Sequence, residues 1–523
     1  MRIDLRTRLH ASPLRRLRTL SASCVFAIVA ACSTTSPDEA PGGPDQPGAS
    51  SPEGSGGGGQ APGGATPGGE AKPGEKPRTL DDVLADLPSG KAQLDILCAR
   101  GGDNRVTKAF CAPGAKMPNS IMELAQAVGL GFPQPNRTGR NNNGTGGNPG
   151  FAVSGHSSSL VARFVSSINP RAIVFSPGNG READFVAMGF TRGEQFAEIV
   201  AKDPSKNELR FFLFAFEQAC NATKSCKPGD LLTPAVEKNF TKVTVYEDRD
   251  VKNTILDCTQ CHQPNGPSTP KMLRMQELQN PWTHFFRDNT PGGQSLIADY
   301  QAAHGTTEDL GPIPGALVAS SEPANLEDFV RGAGFDTQPN EFQTSRIEQE
   351  VRQSSPAQPA NNASPGTSTT WQALYDKSTN GVFIPPPYHD VKVTDPTKLA
   401  AATQAYAAFR AGSMPAAALP DFRGNGIMLE SKMWAMGFAA KPGLDGKQLL
   451  VQTCQQCHND KLDQTITRAK FDVTKLATMD RAEKDKAIER LKLAATDPLK
   501  MPPERFRTLS SDDITKIVSE LSK

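Results

Sequence analysis

The sequence lacks an excess of charge of either sign, and beyond residue 31 it lacks an apolar run long enough to cross a membrane. Lys and Arg number 57 and Asp and Glu number 56, which gives a formal net charge of +1. This balance gives no reason to expect nucleic acid as a partner. A transmembrane helix needs roughly 20 apolar residues, so none is expected after the N-terminal segment. The 523 residues are enough for several domains.

The N-terminus is typical of an export signal. A group of basic residues comes first: Arg6, Arg8, Arg15, Arg16 and Arg18. A short apolar run follows and ends in Val29-Ala-Ala-Cys32-Ser33, which resembles a bacterial lipobox. The resemblance covers only this segment. It implies a signal peptide over 1–31, cleavage before Cys32, lipidation of Cys32 and, through Ser33, an outer-membrane lipoprotein facing the periplasm. The alternative is an ordinary signal peptide that ends near a cysteine.

Two copies of a C-x-x-C-H motif occur in the chain. They are Cys258-Thr-Gln-Cys261-His262 and Cys454-Gln-Gln-Cys457-His458. This spacing is the attachment signature of c-type haem. Two thiols one helical turn apart can form thioethers with the two vinyl groups of a porphyrin, and the following His can bind the iron as its proximal ligand. We therefore expect two covalently bound haem c groups, with a chance CxxC beside an unrelated His as the alternative.

The C-terminal motif lies in a segment that resembles a known family. Residues Gly446, Leu449 and Leu450 precede this CxxCH, Met501-Pro-Pro follows it, and a terminal helix is predicted from Ser510, with Asp513 completing a capping box. Residues 444–523 resemble the mono-haem class I cytochrome c domain. The resemblance implies that Cys454 and Cys457 hold the haem, that His458 is the proximal ligand and that Met501 is the distal ligand. A core methionine is the alternative for Met501.

The first motif has no Met-Pro loop at the corresponding distance, so its distal ligand is left open. Met275 and His284 are the leading candidates because a short segment can fold over the porphyrin face. His304, His389 and an open sixth position are the other possibilities. A distal ligand would close this iron to small molecules, whereas an open position would leave it reactive.

The chain has ten cysteines, and four of them are left after the export and haem motifs are assigned. These are Cys98, Cys111, Cys220 and Cys226. An even remainder in an oxidising compartment predicts disulfides, and proximity in the sequence favours Cys98–Cys111 and Cys220–Cys226. Four buried thiols are the alternative, and metal binding is less favoured because no His neighbours either pair.

Composition and periodicity divide the chain into six segments. They are the signal peptide 1–31, a Pro/Gly/Ser-rich disordered tether 32–77, an α+β domain of unknown role 78–252, a first c-type haem region 253–420, a connector 421–443 and a cytochrome c domain 444–523. The predicted fold class is multidomain. It comprises a mainly α cytochrome c domain, a less regular α haem region and a small α+β or β-rich N-terminal domain.

These features predict a membrane-tethered dihaem cytochrome that transfers single electrons in the periplasm. Its expected partners are redox proteins and a lipid anchor in a bacterial membrane. One alternative is a dihaem peroxidase-like enzyme with an open first haem, in which His284 and Glu277 are the acid/base candidates. Another is a haem-bearing subunit of a periplasmic dehydrogenase, with residues 80–250 as its binding module. No catalytic residue is assigned, and an electron carrier is favoured over an enzyme.

Overall fold

The computed structural model describes part of the unit Ala65–Lys523. The described residues are 80–131, 149–154, 165–222, 225, 227, 230, 232–252, 254, 256–263, 269–273, 291–305, 308, 395–415, 418–419, 427, 429–430, 439–455, 458, 460, 467–494, 497, 499–502 and 508–523. The signal segment, the tether and most of the connector therefore lie outside the described residues. None of the described helices is long and apolar enough to cross a membrane.

Six strands form one antiparallel sheet, and their order in the sheet is their order along the chain. They are β1 Gly150–Ser154, β2 Arg171–Phe175, β3 Val186–Phe190, β4 Phe196–Asp203, β5 Glu208–Gln218 and β6 Phe240–Glu247. Each neighbouring pair is antiparallel, so the sheet is an up-and-down meander.

The predicted fold class is wrong, because the described chain is not mainly α. The strand segments were expected in a small N-terminal domain, whereas the six-stranded sheet carries the largest hydrophobic core of the described residues. The apolar run of β5 explains the error. A continuous apolar run shows that a segment is buried, but its period does not reveal how many layers bury it.

Strand β5 is buried on both faces. Successive side chains of a strand point to opposite faces. Phe212, Phe214 and Phe216 belong to one core, while Leu209 and Phe211 belong to a second. The first core also contains residues of the N-terminal helices, and the second contacts Cys258 of the first CxxCH motif. The sheet is thus a central layer that lies directly against the first motif.

In the described part of the chain, four α-helices precede the sheet. They are α1 Leu80–Ala85, α2 Gly90–Ala99, α3 Arg105–Phe110 and α4 Ile121–Ala127. The peptide N–H of Gly90 donates to Thr244 Oγ1 at 2.9 Å, which places the start of α2 beside β6. A disulfide joins Cys98 of α2 to Cys111, the residue after α3. This is the pairing that proximity in the sequence favoured.

As far as residue 410, the described residues contain four more α-helices, of which the first lies between β5 and β6 and the other three follow the sheet. They are α5 Ala219–Ala222, α6 Thr259–His262, α7 Pro291–His304 and α8 Pro396–Arg410. A buried ion network joins α7 and α8 to loops of the sheet. The Arg192 guanidinium donates to Glu237 and Glu308, at 2.6 Å each, and to the Tyr300 hydroxyl at 2.9 Å. Arg410 donates to the second carboxylate oxygen of Glu308 at 3.2 Å.

The C-terminal part contains α9 Gly446–Thr453, α10 Arg481–Lys492 and α11 Ser511–Leu521. These three helices pack around one core, which includes Leu449, Leu450, Leu491 and Ile517. The predicted capping box of Ser510 and Asp513 is confirmed, and Asp445 with Gln448 forms a second one at the start of α9. The terminal helix therefore begins where the sequence predicted.

Candidate functional site

The two CxxCH motifs form the same helical turn. In the first, the peptide N–H of His262 donates to the Cys258 carbonyl at 2.9 Å, and in the second His458 donates to Cys454 at 2.9 Å. The first turn is α6, and the second continues from the end of α9. Residues four apart on a helix share a face, so each turn brings the first cysteine and the histidine together. The side chains of Cys261 and Cys457 lie outside the described part of the structure.

The imidazole of His262 is held by the segment that follows the motif. Its Nδ1 lies 3.0 Å from the Met272 carbonyl oxygen, and the peptide N–H of Met272 donates back to the His262 carbonyl at 2.8 Å. A carbonyl oxygen can only accept, so Nδ1 carries the proton in this contact. Nε2 then keeps its lone pair, which is the arrangement that a metal-binding histidine requires.

The sheet covers one side of this imidazole. The Phe211 ring of β5 stacks on the His262 ring, with centroids 4.4 Å apart and an interplanar angle of 25°. Burial lowers the pKa of His262 to about 4, and the Arg171 charge adds to this, against hydrogen bonds to the backbone of Met272 and Leu273. His262 is therefore neutral at pH 7, and a neutral imidazole is the form that binds a metal.

Cys258 lies at the edge of the apolar cluster on the same face of the sheet. This cluster consists of Phe175, Phe185, Ala187, Leu209 and Phe211, with Cys258 and Leu273 packed against it. The segment of unknown role, 78–252, thus supplies one wall of the first motif. No local sequence pattern indicates this contact, because Phe211 and His262 are distant in the chain and meet only when the sheet forms.

The second motif lies in the three-helix core of the C-terminal part. The His458 ring meets the edge of Phe471, with centroids 5.2 Å apart, and the peptide N–H of Val473 donates to the His458 carbonyl at 3.1 Å. Cys454 packs against the same core. Apolar side chains therefore surround the imidazole and thiol of this motif.

Met501 is tied to the end of α10. Its peptide N–H donates to the Arg490 carbonyl at 3.2 Å, and the neighbouring Lys500 ammonium donates to the Leu491 carbonyl. These bonds fix the Met501 loop to the core that also holds Cys454 and His458. The structure thus places the predicted distal ligand in the same small unit as its motif, and its ligation stays a prediction.

Of the distal candidates for the first haem, only His304 lies among the described residues. Met275, His284 and His389 lie outside them. The His304 side chain is fully buried, its Nδ1 contacts Glu308 and its Nε2 lies 2.6 Å from the Ile168 carbonyl. Both nitrogens are engaged within the protein, so His304 cannot bind an iron in this arrangement. Its role is in the ion network around Arg192.

The remaining predicted residues divide between described and undescribed positions. Cys220 is disulfide-bonded, whereas Cys226 and Cys32, the residue predicted to be lipidated, lie outside the described residues. No three His, Cys, Asp or Glu side chains converge on a common point within the described ranges. A c-type haem requires instead two thiols and one imidazole with an available lone pair. At the first motif, Cys258 and the Nδ1-protonated imidazole of His262 fit this requirement.

Comparison with protein-family models, with curated proteins and with solved structures found no match to this chain. The resemblance of 444–523 to the mono-haem class I cytochrome c domain therefore stays a prediction from its motifs. The geometry around the two CxxCH turns is the basis for a functional proposal.

Proposed function

We propose that this chain is an outer-membrane lipoprotein that carries two covalently bound haem c groups and transfers single electrons in the periplasm. The observation that carries the proposal is the common geometry of the two motifs. In each motif, the peptide N–H of the histidine donates to the carbonyl of the first cysteine at 2.9 Å. A helical turn places the first cysteine and the histidine of a CxxCH motif on one face, which is the backbone arrangement that haem attachment requires.

At the first motif, the side chains favour a preformed iron ligand. Burial keeps His262 neutral, the hydrogen bond to the Met272 carbonyl places its proton on Nδ1, and Phe211 covers one face of its ring. Cys258 lies next to the same apolar wall. When bound, a haem iron held in such a site accepts and releases one electron.

At the second motif, the proposed ligand set is His458 and Met501. A methionine thioether favours the ferrous state and raises the potential, and a site with two protein ligands is closed to small substrates. The connections of the Met501 loop to α10 would keep that thioether in place. This part of the chain is therefore proposed to relay electrons and to carry out no bond chemistry.

The proposed location rests on the N-terminal segment. Lipidation of Cys32 would add acyl chains, each buried CH₂ of which contributes about 0.8 kcal/mol to membrane binding. The Pro/Gly/Ser-rich stretch 32–77 would then separate the haem-bearing part from the membrane surface. Electrons would pass to and from soluble or membrane-bound redox proteins.

The haem count tests the proposal directly. A pyridine haemochrome assay should find two haems per chain in the wild type and one in each of two double variants, Cys258→Ala/Cys261→Ala and Cys454→Ala/Cys457→Ala. The matched control Cys98→Ser/Cys111→Ser also removes two cysteines and should keep both haems. A wild-type chain purified from a host competent for haem attachment, yet without haem, would refute the proposal.

Spectra of the oxidised protein separate a carrier from the peroxidase-like alternative. Two low-spin EPR signals that do not change when peroxide is added are expected of a carrier. A high-spin signal that changes with peroxide would favour enzymatic chemistry at the first haem. Met501→Ala should remove the weak near-infrared band of methionine bound to ferric iron, or weaken it by half if Met275 binds the first iron, and a band of unchanged intensity would exclude Met501 as the ligand of the second haem.

A further inference from the structure

The short segment 269–273, which contacts His262, is fastened to the sheet by a buried ion pair. The Lys271 ammonium donates to the Asp248 carboxylate, and the exposed fractions of the two side chains are 18% and 3%. Asp248 directly follows β6, and its peptide N–H donates to the Phe211 carbonyl at 2.9 Å. The ion pair therefore connects this segment to the strand whose Phe211 ring covers His262.

These contacts form a continuous series of interactions around the imidazole of His262. Phe211 stacks on the ring, and the Met272 carbonyl accepts from Nδ1 at 3.0 Å. Lys271, the residue before Met272, binds Asp248, which in turn binds the backbone of Phe211. The sheet thus contacts the face of the His262 ring and also positions the Met272 carbonyl, which accepts the hydrogen bond from Nδ1.

The hydrogen bond from Nδ1 affects the chemistry of Nε2. Donation to a carbonyl fixes the tautomer and makes the imidazole a more basic ligand. A more basic ligand stabilises ferric iron and lowers the reduction potential. If the Met272 carbonyl moves away, the potential of the iron bound to His262 should rise.

We propose that Asp248 and Lys271 are positioning residues whose ion pair holds the Met272 carbonyl on His262 and so sets the reduction potential of the first haem. This inference rests on the proposed function, because it requires a haem at His262. It also assigns a role to the sheet, which is to form the rigid wall of the first redox centre.

An effect of net charge and an effect of positioning predict different changes in the reduction potential, so the two explanations can be separated. If only the net charge near the haem mattered, Asp248→Asn would raise the potential and Lys271→Met would lower it. If the ion pair positions Met272, both substitutions should raise it. We expect the ratio of reduced to oxidised iron at a given potential to rise roughly tenfold. This is the lower end of the change in metal affinity or activity that follows the loss of a hydrogen bond to a metal-binding histidine. A tenfold change is 59 mV for one electron.

The experiment is a redox titration of both haems in the full chain, followed by their absorption spectra. Lys271→Met and Asp248→Asn should raise the potential of the first haem and leave the second unchanged, and Lys271→Arg should retain the wild-type value. Glu308→Gln, which alters a different buried ion network, is the control for general destabilisation and should move neither potential. A lowered potential in Lys271→Met overturns the proposal.

A second measurement does not depend on haem. Imidazole ¹⁵N spectra of the histidine-labelled chain should show His262 protonated at Nδ1 in the wild type and in Lys271→Arg. A mixture of tautomers is expected in Lys271→Met, and an unchanged tautomer there would contradict the proposal. A wild-type chain without haem refutes the proposed function, whereas failure of these substitutions in a haem-loaded chain refutes only the role of the ion pair.

Discussion

The backbone of Gly446 lies directly against the carbonyl group of Lys516. A Cβ atom at position 446 would collide with that carbonyl and with the Cβ of Glu520. Gly446 begins α9 and Lys516 lies in the middle of α11, so the two helices cross here at backbone contact. The crossing brings α9, which leads into the second CxxCH motif, onto the terminal helix.

Gly446→Ala should destabilise the C-terminal core by about 1–3 kcal/mol, since overpacking at a close helix contact forces the backbones apart. In an exposed helix the same change would instead stabilise by roughly 1 kcal/mol. Urea unfolding measures the effect. Lys447→Ala, at the exposed neighbouring position, is the control and should change the free energy of unfolding by less than about 0.5 kcal/mol. A stabilised Gly446→Ala would contradict the close crossing.

Glu308→Gln should destabilise the fold by about 3–5 kcal/mol, because it removes the shared counter-ion of buried cations. The Arg192 side chain is 0% exposed, and among the described residues Glu237 is the carboxylate that it would still contact. Thermal unfolding followed by circular dichroism measures the loss. Lys91→Gln breaks the exposed Lys91–Asp95 pair and is the matched control, with an expected effect of less than about 0.5 kcal/mol. Equal effects of the two substitutions would show that the network is not needed for stability.

Replacing Cys98 and Cys111 by Ser should cost roughly 3 kcal/mol. The disulfide closes a loop with a sequence separation of 13, and cross-linking a loop of that length restricts the unfolded chain by this amount. Urea unfolding of the variant, compared with the wild type with and without reductant, checks the value. An oxidised wild type that is no more stable than the variant would disprove a stabilising bond.

Glu194→Gln should make stability less dependent on pH. Burial, followed by the nearby Glu198 charge, raises the pKa of Glu194 well above its ordinary value of 4.5. The folded state therefore binds a proton that the unfolded state has lost, so the wild type should lose stability as the pH rises from about 4.5 through the raised pKa. The variant should lack this loss, and its advantage should grow with pH and then level off. Parallel curves of unfolding free energy against pH would rule out the shift.

Local patterns allowed several elements to be predicted. The apolar, β-branched and aromatic runs around Val174, Met188 and Phe214 lie in β2, β3 and β5, as predicted. The start of α11 followed from Ser510 and Asp513, because a cap depends on residues three apart. The pairing of Cys98 with Cys111 followed from a short separation in the chain.

The packing between distant parts of the chain could not be predicted from local patterns. The run Phe211–Phe216 is apolar at every position, so its period identifies neither the second core nor the layer that covers it. His304 looked like a candidate iron ligand because an isolated histidine carries no local sign of its partners. Glu308 lies only four residues away, but Ile168, which engages its other nitrogen, belongs to a distant loop.

The sequence by itself determined which residues carry the proposed chemistry, because the two CxxCH motifs, their turns and the predicted export signal each depend on residues a few positions apart. Tertiary structure alone decided what surrounds that chemistry. The contacts of His262 with Phe211 and of Lys271 with Asp248 join the first motif to β5 and to the end of β6. Such contacts depend on which strands pair and which face they turn to the motif, and no local period specifies either.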